Sequence, residues 1–533
     1  MPSSPTLLIH SGLIVDGTGN PGYRAAVYVR DGHMRIVRGS TEHIKADRTI
    51  DASGLTIAPG FIDIHSHSDL LLLDTPNPDF KIRQGVTTEI LGVDGLSYAP
   101  FNDLDSLKSF VAQNAGIGGY PGIEYTWRTV GEYLDRFDRR SVVNVGTFVG
   151  NTALRVSAVG WGNQPASRRE IRNMQAILRS AMHDGALGMS TGLDYPPGCH
   201  ADTQELIELA RVVTEMGGVY HTHVRYRKGD QYLDPFIEAL QIGRESGVPV
   251  HITHFSRVAR PDGGGAKGLL DLIDNARAEG IDVTFDSYPY QWGGSRLALL
   301  LPEWIQRDGY SATCSRLHDP DVRLRLAAEL DEGATAQYDV SKPYSDIRIG
   351  GLTATGHTAF EGRYLSEIVA ALGVSPAEAI CDLVAENPTA SFTRTSADPM
   401  TLWRFVCHPL GMIASDAVTT ALAPSPRVYG SFPRVLGDFV REENLLTLPE
   451  AIRKMTSYPA QRLGLTGRGL IADGMIADIT VFDAQTVRAP ATYERPRLLA
   501  EGVKYVIVSG SIVLDDTEMT SNTPGRKVGT TFL

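Results

Sequence analysis

His65 and His67 stand two apart behind an apolar run, in GFIDIHSHSDL (60–70), with Asp63 and Asp69 on either side. On an extended chain residues i and i+2 point to one face, so both imidazoles converge on one point. That suits a divalent metal, but a zinc-like ion takes at least three protein ligands. Alone, the pair reads equally well as the polar end of a strand. Further ionisable residues end other apolar stretches: Asp94, His221 with His223, His251 with His254, and Asp416. Six of the 14 histidines thus fall at three strand ends, and imidazole with carboxylate is a donor set for zinc and related ions. His223 and His254 are the stronger candidates of their pairs. His221 reads as a neighbour of His223, and His251 and His254 have opposite strand parity, so only one of those two is expected to face the site. His200, His318, His357 and His408 read as structural or solvated.

The elements that must position these residues alternate. Eight short apolar stretches read as strands: GFIDIHSH (60–67), TTEILGVDG (87–95), SVVNVGTFVG (141–150), GALGMSTGL (185–193), GGVYHTHVR (217–225), VPVHITHFS (248–256), IDVTFDSYPY (281–290) and LGMIASDA (410–417). Amphipathic stretches such as SRREIRNMQAILRSAMHD and TQELIELARVVTEM separate most of them. Eight strand–helix units predict an α/β fold, a TIM (β/α)8 barrel, whose active sites lie at the C-terminal strand ends. The candidate residues occupy those ends. Residues 294–405 are too long for a loop and contain helix-like pieces (YLSEIVAALG, SPAEAICDLVAE), so they read as an insertion before the last strand. Both termini are strand-rich, with hairpin signals at Asp16-Gly17 and Asp31-Gly32. Residues 1–57 and 465–533 are therefore expected to form one small β-sandwich domain, and 58–464 the barrel.

The net charge of −12 argues against nucleic acid or an anionic membrane as partner. Cys199, Cys314, Cys381 and Cys407 are scattered and make no disulfide framework, the N-terminus lacks a secretory pattern, and no apolar run is long enough to span a bilayer. A cytoplasmic location is expected. GGGAKG (263–268) lacks the spacing of a phosphate loop and reads as a flap over the barrel mouth.

The chain resembles the amidohydrolase superfamily and, within it, the N-acyl-D-amino-acid deacylases (D-aminoacylases). The stretches that carry the likeness run in order from about residue 55 to the C-terminus: APGFIDIHSHSD, GVTTEILGVDGLSYAP, GALGMSTGLDYPPG, GGVYHTHVR, VPVHITHFS, DSYPY, IASDA, PRVYGSFPRVLGDFVRE, MTSYPAQRLGLTGRGLIADGMIADITVFD and NTPGRKVG. The resemblance implies metal ligation by His65, His67, His223, His254 and Asp416, with Asp416 also the catalytic proton shuttle. It implies that Tyr195 and Tyr288 border the substrate, and that the cofactor is one or two divalent ions, zinc first among them.

Two departures stand out. The family pattern Gly-Asn-Cys-Gly is Gly92-Val93-Asp94-Gly95 here, so Asp94 replaces the cysteine that bridges or holds metal. A carboxylate also bridges cations but is harder than thiolate; the other reading is an Asp that only hydrogen-bonds its loop. After the sixth strand, where the family has His-His-Lys, the chain has His254-Phe255-Ser256, without the lysine expected near the substrate carboxylate. Arg257, Arg225 and Arg296 are candidate replacements. The expected activity is metal-dependent hydrolysis of the amide of an N-acyl-D-amino acid. Alternatives are another small amide (a D-residue dipeptide, a cyclic imide or hydantoin, an acylated natural product) or an inactive binding protein on the same fold. The partner is a small-molecule amide, and a homo-oligomer is possible.

Overall fold

The computed structural model describes residues 5–226, 233–255, 265–331 and 344–529. Eight parallel strands form its centre: β1 (Phe61–Asp63), β2 (Val86–Leu91), β3 (Asn144–Thr147, resumed at Val149–Gly150), β4 (Gly188–Gly192), β5 (Val219–His223), β6 (Val250–Ile252), β7 (Val283–Ser287) and β8 (Gly411–Ile413). Neighbours pair in sequence order from β1 to β8. The ring closes just beyond the strand ends. Ser66 bridges Ala417, the Asp416 N–H donates to the His65 carbonyl (2.9 Å), and the His67 N–H donates to the Ala417 carbonyl (3.2 Å). The residues that close the barrel thus include three of the candidate site residues. All eight predicted strands are present, each shorter than its apolar stretch. Their residues are buried on both faces, as parallel strands wrapped by helices must be.

The helices between strands follow from local signals. Helix Arg168–His183 starts at a Ser167–Glu170 capping box and buries Met174, Leu178, Ala181 and Met182, one stripe at helical spacing. Helix Thr203–Glu215 is capped by Asp202 and turns Leu206, Leu209, Ala210 and Val213 inward. No single described helix is long and apolar enough to cross a membrane.

Strands from both ends of the chain form two further sheets. One orders His33–Val37, Ala26–Arg30, Leu7–His10 and Arg48–Asp51; the other runs from Glu518–Met519 through Ile479–Phe482 and Thr56–Pro59 to Tyr23–Arg24. Ile479 pairs with Pro59 and Phe482 with Thr56, so the termini are joined by a ladder. Ile9, Val27, Ile57, Ile479 and Ile507 share the apolar layer between the sheets. Asp31 and Gly32, both at positive φ, make the predicted tight hairpin. Asp16-Gly17 does not; it lies within a longer connection between Leu13–Ile14 and Tyr23–Arg24. Gly60 joins this layer to β1, and a Cβ there would sit 2.2 Å from Thr87 Oγ1, so only glycine fits the passage. The last described residues leave the sheets: Val528 donates to Val145 and packs with Leu187, Val219 and Met412.

The insertion is not wholly helical. Helices Leu365–Leu372 and Pro376–Glu386 occur where the sequence suggested them, but Trp292–Arg296, Ser391–Thr395 and Arg348–Gly350 form an antiparallel sheet. These strands are short and pair across long stretches of chain, so no local hairpin signal marks them. Of the stretch read as a flap (263–268), residues 263–264 lie outside the described residues and 265–268 instead form the first turn of helix Gly265–Ala278.

Candidate metal centre

Beyond β1 the chain bends at Ile64 and His65, and the rings of His65 and His67 come together, with centroids 5.4 Å apart. Asp94 follows β2 in a loop with positive φ at Gly92, Asp94 and Gly95. Gly92 is required there, since a Cβ would meet the Phe148 carbonyl at 2.4 Å. Asp69 pins the same loop by accepting the Gly92 N–H (3.2 Å) and the Tyr133 hydroxyl (3.0 Å), and burial raises its carboxyl to about 7. His223 ends β5. His254 lies two residues past β6 and Asp416 three past β8, both with left-handed backbone. Positive φ at three non-glycine residues is costly and gathers where surrounding structure imposes it, as at binding sites.

These loops bring the candidates together. Asp94 Oδ2 lies 3.4 Å from His65 Nε2, 3.6 Å from His67 Nε2, 3.8 Å from His223 Nδ1 and 3.4 Å from His254 Nε2. Asp416 Oδ1 lies 3.6 Å from His65 Nε2 and 3.4 Å from His67 Nε2. Two donor groups result, His65–His67–Asp94–Asp416 and Asp94–His223–His254, sharing Asp94. The Asp94 Oδ1 accepts from the Thr253 hydroxyl (3.1 Å), so its side chain is not spent on its own loop. Burial pushes the Asp94 carboxyl up, but His65 and His254 outweigh it and hold it well below the usual range. For Asp416, burial is likewise outweighed, by Arg427 first and then His65. His65 Nε2 is fully buried and has no hydrogen-bond partner. An orphaned imidazole nitrogen facing two carboxylates is the donor set a divalent cation satisfies.

Three supporting residues escaped the sequence reading. Asp286, on β7, accepts the His254 N–H (2.8 Å) and faces His65 Nδ1 (3.4 Å) and His251 Nε2 (3.0 Å). Burial opposes its ionisation, yet His65 and His251 drive its carboxyl far down. A carboxylate on the second nitrogen of a ligating histidine fixes the ring and its tautomer. Asp194 does the same for His223, 2.8 Å from Nε2. Arg427 is fully buried, with Nη1 2.9 Å from Asp416 Oδ2 and its guanidinium 4.4 Å over the Tyr288 ring. The signals available were an acid inside DSYPY, the acid beside Tyr195, and the arginine of PRVYG.

His251 and His254 both face inward, contrary to the parity argument, because β6 ends at Ile252 and the left-handed turn at His254 swings its ring back. His251 lies deeper, between Asp286 and Thr284 Oγ1 (2.8 Å), and stacks on His221 at 5.0 Å. Tyr195 lies against the His223 ring at 5.0 Å, with its hydroxyl 3.2 Å from Ser295 Oγ. Of the suggested cationic anchors, Arg225 is engaged by Glu238 and the carbonyls of Cys199 and Ala201, and Arg296 by Gln113 and Asn114; Arg257 lies outside the described residues.

The model of the amidohydrolase family matches residues 48–514. The chain is 34% identical over 524 residues to an N-acyl-D-glutamate deacylase of Alcaligenes xylosoxydans xylosoxydans, covering 98% of this chain and 96% of that one. Its structure is similar to that of an N-acyl-D-glutamate deacylase from Bordetella bronchiseptica, complexed with zinc and a phosphonate mimic of the tetrahedral intermediate (TM-score 0.83, 31% identity, 99% and 100% of the chains). A D-aminoacylase with a binuclear metal centre, activated by one metal and attenuated by the second, matches equally (TM-score 0.83, 31% identity, 99% and 100%).

Proposed function

The chain belongs to the amidohydrolase family, and from that premise we propose that it hydrolyses the amide of N-acyl-D-amino acids, releasing a carboxylate and the free D-amino acid. The observation that carries the reading is the placement of Asp94 Oδ2 within 3.4–3.8 Å of four imidazoles from three barrel loops. His65, His67, Asp94, His223, His254 and Asp416 would hold one or two divalent ions, zinc first. When bound, such an ion supplies an acidified water near neutral pH and a Lewis acid for the scissile carbonyl.

The chain's own groups do the rest. Asp416 turns Oδ1 to His65 and His67 and Oδ2 to Arg427. Kept ionised, its carboxylate accepts the proton of the attacking water and returns it to the departing amine nitrogen. An amine is a poor leaving group, so this second transfer is needed. Asp286 and Asp194 orient His65 and His223. Arg427, beside Asp416 and over Tyr288, provides the cation for the substrate's α-carboxylate that the sequence pattern lacks. Tyr195 and Tyr288 border the same space. Chiral chromatography after incubation of the zinc-loaded protein with paired N-acetyl-D- and N-acetyl-L-amino acids tests the reading. Release from the D series alone is expected; release from neither, or from the L series, contradicts it.

A further inference from the structure

One group of metal-type donors lies apart from the barrel centre. Cys199, His200 and Glu303 bring a thiol, an imidazole and a carboxylate within 4.8 Å of one another. Cys199 and His200 end the short turn Gly198–His200 that follows β4, and Glu303 opens the turn Glu303–Gln306 of the insertion. The first turn is held in place. Arg225 donates to the carbonyls of Cys199 and Ala201, Asn151 donates to the Gly198 carbonyl (3.1 Å), and a Cβ on Gly198 would sit 2.3 Å from Thr152 Oγ1. Cys199 Sγ lies 3.7 Å from His200 Nδ1, which lies 3.9 Å from Glu303 Oε2. A tetrahedral zinc sets sulfur and nitrogen donors about 3.6 Å apart, and nitrogen and oxygen donors about 3.4 Å. Both gaps therefore suit one ion held between the three side chains. Charge around them agrees. Burial first, then Arg155, Arg307 and Arg225, hold His200 below the usual imidazole range against the pull of Glu303, so the ring is neutral, as a ligand must be. Arg155 is paired with Glu205 (2.5 Å) and Arg225 with Glu238 (3.2 Å), so two of these three cations are already matched.

We propose that Cys199, His200 and Glu303 form a separate site for a thiophilic divalent ion such as zinc, and that the ion fastens the insertion to the turn after β4. Binding releases the thiol proton to solvent, and thiolate with carboxylate then balances the double charge of the ion. The same stretch of chain carries Asp194 and Tyr195, which lie against His223, so the ion anchors a wall of the barrel mouth. Three protein ligands leave a fourth position for water on the side of Glu303, whose side chain is 39% exposed. The site is therefore weaker than the barrel centre and fills after it. His200, structural or solvated on sequence grounds, becomes a ligand.

The test loads the chelator-stripped full chain with cobalt(II) and records its near-ultraviolet spectrum. The barrel centre offers imidazole and carboxylate donors only, so a thiolate-to-cobalt charge-transfer band reports a cysteine ligand. Wild type is expected to show the band; Cys199→Ser should lack it and bind one equivalent less metal. Asp94→Ala should keep it. Glu303→Ala, at a partly exposed side chain, should raise the cobalt concentration at half-maximal band by roughly tenfold or more. No band in wild type at saturating cobalt, or an undiminished band in Cys199→Ser, overturns the proposal. Should Cys199→Ser fail to fold, the Glu303→Ala titration decides, and a midpoint equal to that of wild type overturns it. Turnover of N-acyl-D-amino acids is a separate readout, so failure here leaves the deacylase reading intact.

Discussion

Arg427 Nη1 stands 2.9 Å from Asp416 Oδ2, and both side chains are buried. A buried cation beside the proposed proton carrier keeps it ionised and, in the proposed function, meets the substrate's α-carboxylate. Arg427→Met is expected to cut kcat/KM on N-acetyl-D-methionine by roughly ten- to hundredfold, the worth of a charge-assisted hydrogen bond, with Arg427→Lys in between. Steady-state kinetics decide it; wild-type values in the methionine variant would remove Arg427 from the account.

Asp416→Asn keeps the shape and loses the base. Turnover should fall by about 10²- to 10⁴-fold, the usual share of general acid–base catalysis, with the circular dichroism spectrum unchanged. Activity near wild type would show that another group moves the proton.

Asp94 is the shared member of both donor groups. Asp94→Ala is expected to lower bound metal by at least one equivalent in elemental analysis. Asp94→Cys should retain metal and shift preference toward softer ions such as cadmium. Unaltered metal content in the alanine variant would reduce Asp94 to a loop residue.

Beneath the site, Lys81 Nζ lies 2.6 Å from Asp63 Oδ2 and 3.1 Å from Glu89 Oε2, all three fully buried. It also donates to Ser66 and Ser415, neighbours of His65 and Asp416. Lys81→Met strands two buried carboxylates and should cost about 3–5 kcal/mol in urea unfolding. A shift below about 1 kcal/mol would mean the network is dispensable.

The eight strands were legible because each carries a short apolar run bounded by turn residues, and His65, His67, His223 and Asp416 were legible because they end such runs. Asp94 could be placed near the site but not at its centre, since a left-handed loop and not a strand aims it. Parity failed at His254 for the same reason: alternation holds only while the strand does. Asp286 was missed because its partner His65 lies far off in sequence, and Arg427 because Tyr288 does, while its nearer partner Asp416 is reached across an irregular loop that carries no periodic pattern. The insertion sheet, assembled from short segments including Trp292–Arg296 and Arg348–Gly350, was hidden likewise.

The most direct test of the central claim is a zinc titration of chelator-stripped protein, following release of D-methionine from N-acetyl-D-methionine. Activity should be absent in the stripped protein and rise to a maximum within one or two equivalents. Full turnover without metal, or none at any zinc level for a folded protein, would contradict the assignment of these imidazoles and carboxylates to a catalytic metal centre.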